Sequence, residues 1–173
     1  VYVDGDIVVG GKIIEGEVKL PAGHAITTTD LTVMSVLDEA KVKSDGTFEI
    51  LGLDSTSEQQ LLLINKNGEM LMLGHYIGTQ QQYELSSESS AMALLLMYPF
   101  LKPIGTAEKE KLIQFYKTQG EYRQLVNYIE SLSKAGNSIL SGNSNEFSRL
   151  LISLINKEYN KDRFRISKLQ EIQ

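Results

Sequence analysis

The chain has no cysteine and no tryptophan, and only three prolines and two histidines in 173 residues. Without cysteine there can be no disulfide, no thiolate metal ligand and no cysteine nucleophile. The two histidines, His24 and His75, form no H-x-x-x-H or H-E-x-x-H pair, so they read as surface or strand-edge residues and no metal site is expected. Long apolar runs are missing too. The longest, Ala91 to Leu101, covers 11 residues, against the roughly 20 that span a bilayer, so no transmembrane segment is expected in this fragment. A basic stripe is also lacking: net charge is −5, which argues against nucleic acid as a partner. The one basic stretch, Lys157 to Lys168 with Lys161, Arg163 and Arg165, reads as a solvated helix face or tail.

What remains is ordinary globular composition, 42% apolar and 23% charged, in a chain long enough to bury a core of its own. Charge is unevenly spread. Residues 1–85 hold 13 acidic and 5 basic side chains (−8), and residues 86–173 hold 12 basic and 9 acidic (+3). Hydrophobic period changes at the same place, which predicts two domains, 1–85 and 86–173.

The first half alternates with period two. Gly16-Glu17-Val18-Lys19-Leu20 reads as a strand stopped by Pro21-Ala22-Gly23, and Leu31, Val33 and Ser35 alternate in the next. Ser44-Asp45-Gly46 and Asn67-Gly68, each between alternating segments, predict hairpins because glycine tolerates positive φ. A last strand is expected over Gln81–Leu85. Six or seven short strands at this spacing predict an antiparallel β-sandwich.

The second half has helical period. In SSESSAMALLLMYPFL, Ser86 or Ser87 is placed to cap a helix, Glu88 complements its positive end, and Pro99 and Pro103 stop it. Apolar all round, this helix should lie at the centre of its half. Thr106 is read as the cap of a second helix ending at Lys117. Tyr122, Leu125, Val126, Ile129 and Leu132 mark a third, closed by Ala135-Gly136-Asn137. Asn143 and Glu146 open a fourth, striped by Phe147, Leu150, Leu151, Leu154, Ile155 and Tyr159, and a weaker segment covers Asp162–Ile172. The fold class expected is therefore α+β, an N-terminal antiparallel β-sandwich followed by a C-terminal α-helical bundle of four or five helices.

The Gly16-x-Val18 strand, the Leu31–Leu37 strand, Asp45-Gly-Thr-Phe-Glu-Ile50 and Leu53 together resemble the carboxypeptidase-regulatory-like or transthyretin-like β-sandwich over residues 12–73. With the helical half added, the chain resembles uncharacterised exported proteins of Gram-negative bacteria. These resemblances imply an accessory module without catalysis. They also imply an exported setting, periplasmic or at the cell surface, with room for a lipid anchor upstream of this fragment. The start at Val1 fits a mature or trimmed chain.

No catalytic motif appears. The serines of residues 86–90 have no histidine in their half, no G-x-S-x-G elbow and no lysine three residues on, so they read as caps and not as nucleophiles. Asp4-Gly5-Asp6 and Asp54–Glu58 do not match a calcium loop, and Val9-Gly10-Gly11-Lys12 is not a phosphate loop. Glu15 and Glu17 read as solvent-facing charges of an edge strand. No cofactor is implied. Tyr2, Tyr76 and Tyr83, aromatic rings near strand ends, are the candidate ligand contacts. The expectation is a non-enzymatic exported interaction or structural module that binds a protein or a surface polymer. A glycan-binding accessory domain and a hydrolase whose acids converge only in the fold are the alternatives.

Overall fold

A computed structural model describes the backbone of residues 2–3 and 7–8, together with residues 11–54, 58–78, 82–97, 105–141 and 145–170; beyond Lys157 only the backbone is described. The Tyr2 side chain, Asp4-Gly5-Asp6, the Pro99 and Pro103 helix stops, Asn143 and the Tyr159 side chain lie outside the described part. The chain is α+β, strands first and helices after. Two-residue strands β1 (Tyr2–Val3) and β2 (Ile7–Val8) pair with each other. The strands β3 (Gly11–Val18), β4 (Thr32–Met34), β5 (Glu39–Lys41), β6 (Thr47–Leu53), β7 (Gln59–Ile64), β8 (Met70–Tyr76) and β9 (Gln82–Leu85) form two sheets, ordered β6-β3-β9 and β5-β4-β7-β8.

Alternation along these strands sends Ile14, Val18, Phe48, Ile50 and Leu85 from one sheet, and Val33, Leu61, Leu63, Leu71 and Tyr76 from the other, into one shared core. Gly16 faces this core beneath the Phe48 ring, where a Cβ would collide with that ring and with the Tyr83 carbonyl. The Asn67-Gly68 hairpin forms as expected between β7 and β8, with Gly68 at φ 78° and Asn65 N–H donating to the Glu69 carbonyl at 3.0 Å.

Three expectations about the strands change. The Asp45-Gly46 turn is tight, with Gly46 at φ 87° and Lys43 N–H donating to Thr47 at 2.8 Å, yet it is no hairpin: β5 pairs with β4 and β6 with β3, so the turn crosses between sheets. The sheets are not wholly antiparallel either. β9 runs parallel to β3, Glu15↔Gln82 to Val18↔Leu85, because it arrives from the other sheet and not through a hairpin. Finally, β3 is the central strand of its sheet. Glu15 and Glu17 do face solvent, on the sheet's outer surface, but not on an edge.

Helices α1 (Ser87–Leu96), α2 (Thr106–Lys117), α3 (Gly120–Lys134) and α4 (Asn145–Gln170) complete the described fold. Ser86 caps α1 in a reciprocal box with Ser89, each side chain accepting the other's backbone N–H, at 3.2 and 2.9 Å. α2 is entered through Gly105; Thr106 is its first helical residue and not its cap. α3 closes in a Schellman turn, with Gly136 at φ 71° and Asn137 N–H reaching back to the Leu132 carbonyl at 3.0 Å. α4 runs unbroken to Gln170, so the segment from Asp162 is a continuation and not a fifth helix.

α1 lies between sheet and helices. Leu73, with Leu62 and Met70 half-buried, joins Ala91, Leu95, Leu125, Ile129, Leu150 and Leu154 in a second core, which is why α1 is apolar all round. Burial on several sides leaves no polar stripe. The serines bind this helix to the free edge of β8: Leu73 N–H donates to Ser90 Oγ at 3.0 Å, and Ser89 Oγ donates to the Leu73 carbonyl at 3.1 Å. Ser138 Oγ holds the Met70 carbonyl at 2.9 Å. An edge strand with its outward groups occupied offers less template for another chain. No helix among the described residues is long and apolar enough to cross a membrane.

Candidate functional site

Where β8 and β9 end against α1, α2 and α3, a cleft of about 310 Å³ opens. Ile77, Met92, Leu96 and Ile113 supply its apolar wall; His75, Tyr83, Tyr122, Gln82, Glu84, Glu88 and Lys117 supply polar groups. Helical spacing places them. Met92 and Leu96 follow Glu88 by one and two turns on α1, and Ile113 and Lys117 lie four residues apart on the face of α2 that also carries Lys109.

The expected ligand-contact tyrosines part company here. Tyr83 lines the cleft; Tyr76 is 1% exposed and packs edge-on against it, with ring centroids 5.6 Å apart and planes at 78°. Neither ring offers an open face for stacking on a sugar. Burial pushes the Tyr83 phenol up from its ordinary range, although the hydroxyl is held by the His75 backbone and by Ser89. Burial also raises the Tyr122 phenol, with the Glu88 charge adding to it, and its hydroxyl donates to the Glu88 carbonyl at 3.2 Å.

His75 was read as a surface or edge residue. It does lie near the end of the edge strand β8, but not at the surface: it stands on the cleft wall in a half-buried network. Its Nδ1 meets the Gln60 amide nitrogen at 2.6 Å and its Nε2 meets Glu58 Oε2 at 3.0 Å, while Lys109 pairs with the same carboxylate. Burial lowers the His75 basicity, and that effect outweighs the Glu58 charge. A neutral ring then accepts from Gln60 and donates to Glu58. Burial alone would raise the Glu58 carboxyl, but the Lys109 and His75 hydrogen bonds and charges bring it below its ordinary value. With both ring nitrogens engaged, His75 has no free nitrogen to take a proton from a substrate.

His24 sits apart, its Nδ1 accepting from Ile26 N–H at 3.1 Å. Among the described residues no three His, Asp or Glu side chains gather to hold a metal ion. The sequence reading weighed Glu58 only in the Asp54–Glu58 cluster, placed Tyr122 in the stripe of α3 and Lys117 at the end of α2, and did not single out Lys109. Of these only the every-fourth spacing of Lys109, Ile113 and Lys117 was a signal in the sequence. No family model, no curated protein and no solved structure matches the chain.

Proposed function

We propose that this chain is a non-enzymatic interaction module of an exported protein, one that holds part of a protein or surface polymer in the cleft between β8, β9 and the helices. The observation that carries it is the cleft itself: concave, apolar on one wall, polar on the other, and with its histidine fully engaged. The exported setting comes from the resemblance to transthyretin-like sandwiches followed by helices.

A thermal-shift screen of glycans, peptides and divalent ions, run in parallel on Leu96→Trp, tests the reading. Leu96 is half-buried on the cleft wall, so tryptophan there fills the cavity. A ligand at a hundred times its Kd stabilises by about 2.7 kcal/mol. A shift present in the wild type and absent in Leu96→Trp supports the proposal. A shift equal in both, or turnover of the added compound, removes it.

A hydrolase is the second reading, because Glu84 and Glu88 both line the cleft. Against it, the Glu84 side chain is 40% exposed and paired with Lys19, and Glu88 is exposed; a general acid needs burial to stay protonated. Turnover lost in Glu84→Gln and Glu88→Gln would carry that reading.

A further inference from the structure

The polar groups around the cleft divide into those already used and those free. His75 is bound by Gln60 and Glu58, Glu84 by Lys19, Tyr122 by the Glu88 carbonyl, and Ser86 by its cap. The Glu88 carboxylate and the Lys117 ammonium are exposed and have no partner among the described residues, each other included. They stand at the same end. Tyr122, in the first turn of α3 and five residues after Lys117, bonds the backbone of Glu88, which brings the α2–α3 junction to the first turn of α1. Away from that end the lining becomes apolar: Ile113 lies about 6 Å back along α2 and Leu96 about 12 Å along α1, with Met92 between Glu88 and Leu96.

One anion and one cation at one end of an apolar trough match a ligand of particular form. We infer that the cleft recognises an α-amino-acid centre, ammonium to Glu88 and carboxylate to Lys117 on the same carbon, with an aliphatic side chain laid along Met92, Ile113 and Leu96. This builds on the binding-module reading and names its chemistry. Such a centre occurs in a free amino acid, and also at a residue joined to a polymer through its side chain; a peptide chain separates its two termini and does not fit.

Calorimetric titration of the whole chain distinguishes the sources. Norleucine represents the free ligand, and Nε-acetyl-lysine represents a centre carried on an amide-linked side chain. Binding of either supports the inference, and the tighter one names the source. N-acetyl-norleucine and norleucinamide, each lacking one charge, should bind about tenfold more weakly or worse, as should glycine, which lacks the tail. In Glu88→Gln the penalty for acetylating the amine should vanish, and in Lys117→Gln the penalty for amidating the carboxylate. Equal binding of capped and free forms overturns the inference, as does zwitterion binding that survives Leu96→Trp. If polymers or peptides bind and Leu96→Trp abolishes it while no zwitterion binds, the inference falls and the cleft reading stands. If nothing binds, both fall.

Discussion

Ser90→Ala is the substitution that tests how α1 is joined to the sheet. Ser90 is wholly buried, and its hydroxyl accepts the Leu73 N–H at 3.0 Å while donating to the Ser86 carbonyl at 2.8 Å. The Ser86 carbonyl keeps the Ser90 backbone N–H at 3.0 Å, so the helix loses no obligatory bond. The Leu73 N–H, on the free edge of β8 and covered by α1, loses the Ser90 hydroxyl as its acceptor. A buried donor left unpaired costs about 1–3 kcal/mol. Alanine returns about 0.5 kcal/mol of helix propensity. The net expectation is a loss of about 1.5 kcal/mol, read as a urea midpoint lowered by roughly 0.5–1 M at unchanged slope. Ser87→Ala, in the same helix with no such bond to the sheet, should cost clearly less than Ser90→Ala. Amide exchange at Leu73 should quicken more than at its neighbours on β8. Equal midpoints for Ser90→Ala and wild type, with unchanged Leu73 exchange, would refute the argument that these serines hold the sheet edge.

Other perturbations act on separate parts of the fold. Gly74→Ala places a Cβ 2.6 Å from the Tyr83 ring and should cost at least about 2 kcal/mol by overpacking, measured by denaturant unfolding. At Gly68 a Cβ meets nothing within 4 Å, so Gly68→Ala should cost only the positive-φ penalty of about 1–2 kcal/mol, and Gly68→Asn less. Leu95→Ala and Leu150→Ala, both wholly buried, should each cost about 2–5 kcal/mol in urea melts, and the half-buried Leu151→Ala clearly less. Burial depresses the His75 pKa, so below its ordinary value of 6.5 the unfolded chain takes up a proton that the folded chain refuses. Its contribution is therefore whole above that pH and declines as pH falls from 6.5 through the folded value. Comparing urea midpoints at pH 8 and 5.5 checks this, and His75→Gln should flatten the difference.

Much of the architecture was legible because it is local. Period-two alternation placed β4 and β9 to within a few residues and found the C-terminal end of β3, and Asn67-Gly68 located a true hairpin, since the short loop Lys66–Gly68, closed by Asn65 N–H on the Glu69 carbonyl, dictates its own pairing. Ser86 as the cap of α1, and the glycine that ends α3, follow from the same short-range hydrogen-bond chemistry. Alternation assigns a strand its faces but says nothing of its neighbour. Hence the Asp45-Gly46 turn that crosses between sheets and the parallel pairing of β9 with β3 were decided only when both sheets closed over Ile14, Phe48 and Leu63. The cleft belongs wholly to that second class. His75, Glu88 and Lys117 come from three elements and share no motif, and what makes them neighbours is the packing of α1 on β8, with α2 and α3 beside it. Backbone chemistry acts over four or five residues and is written in the chain; the meeting of distant side chains depends on which surfaces bury together, and only the folded structure sets that.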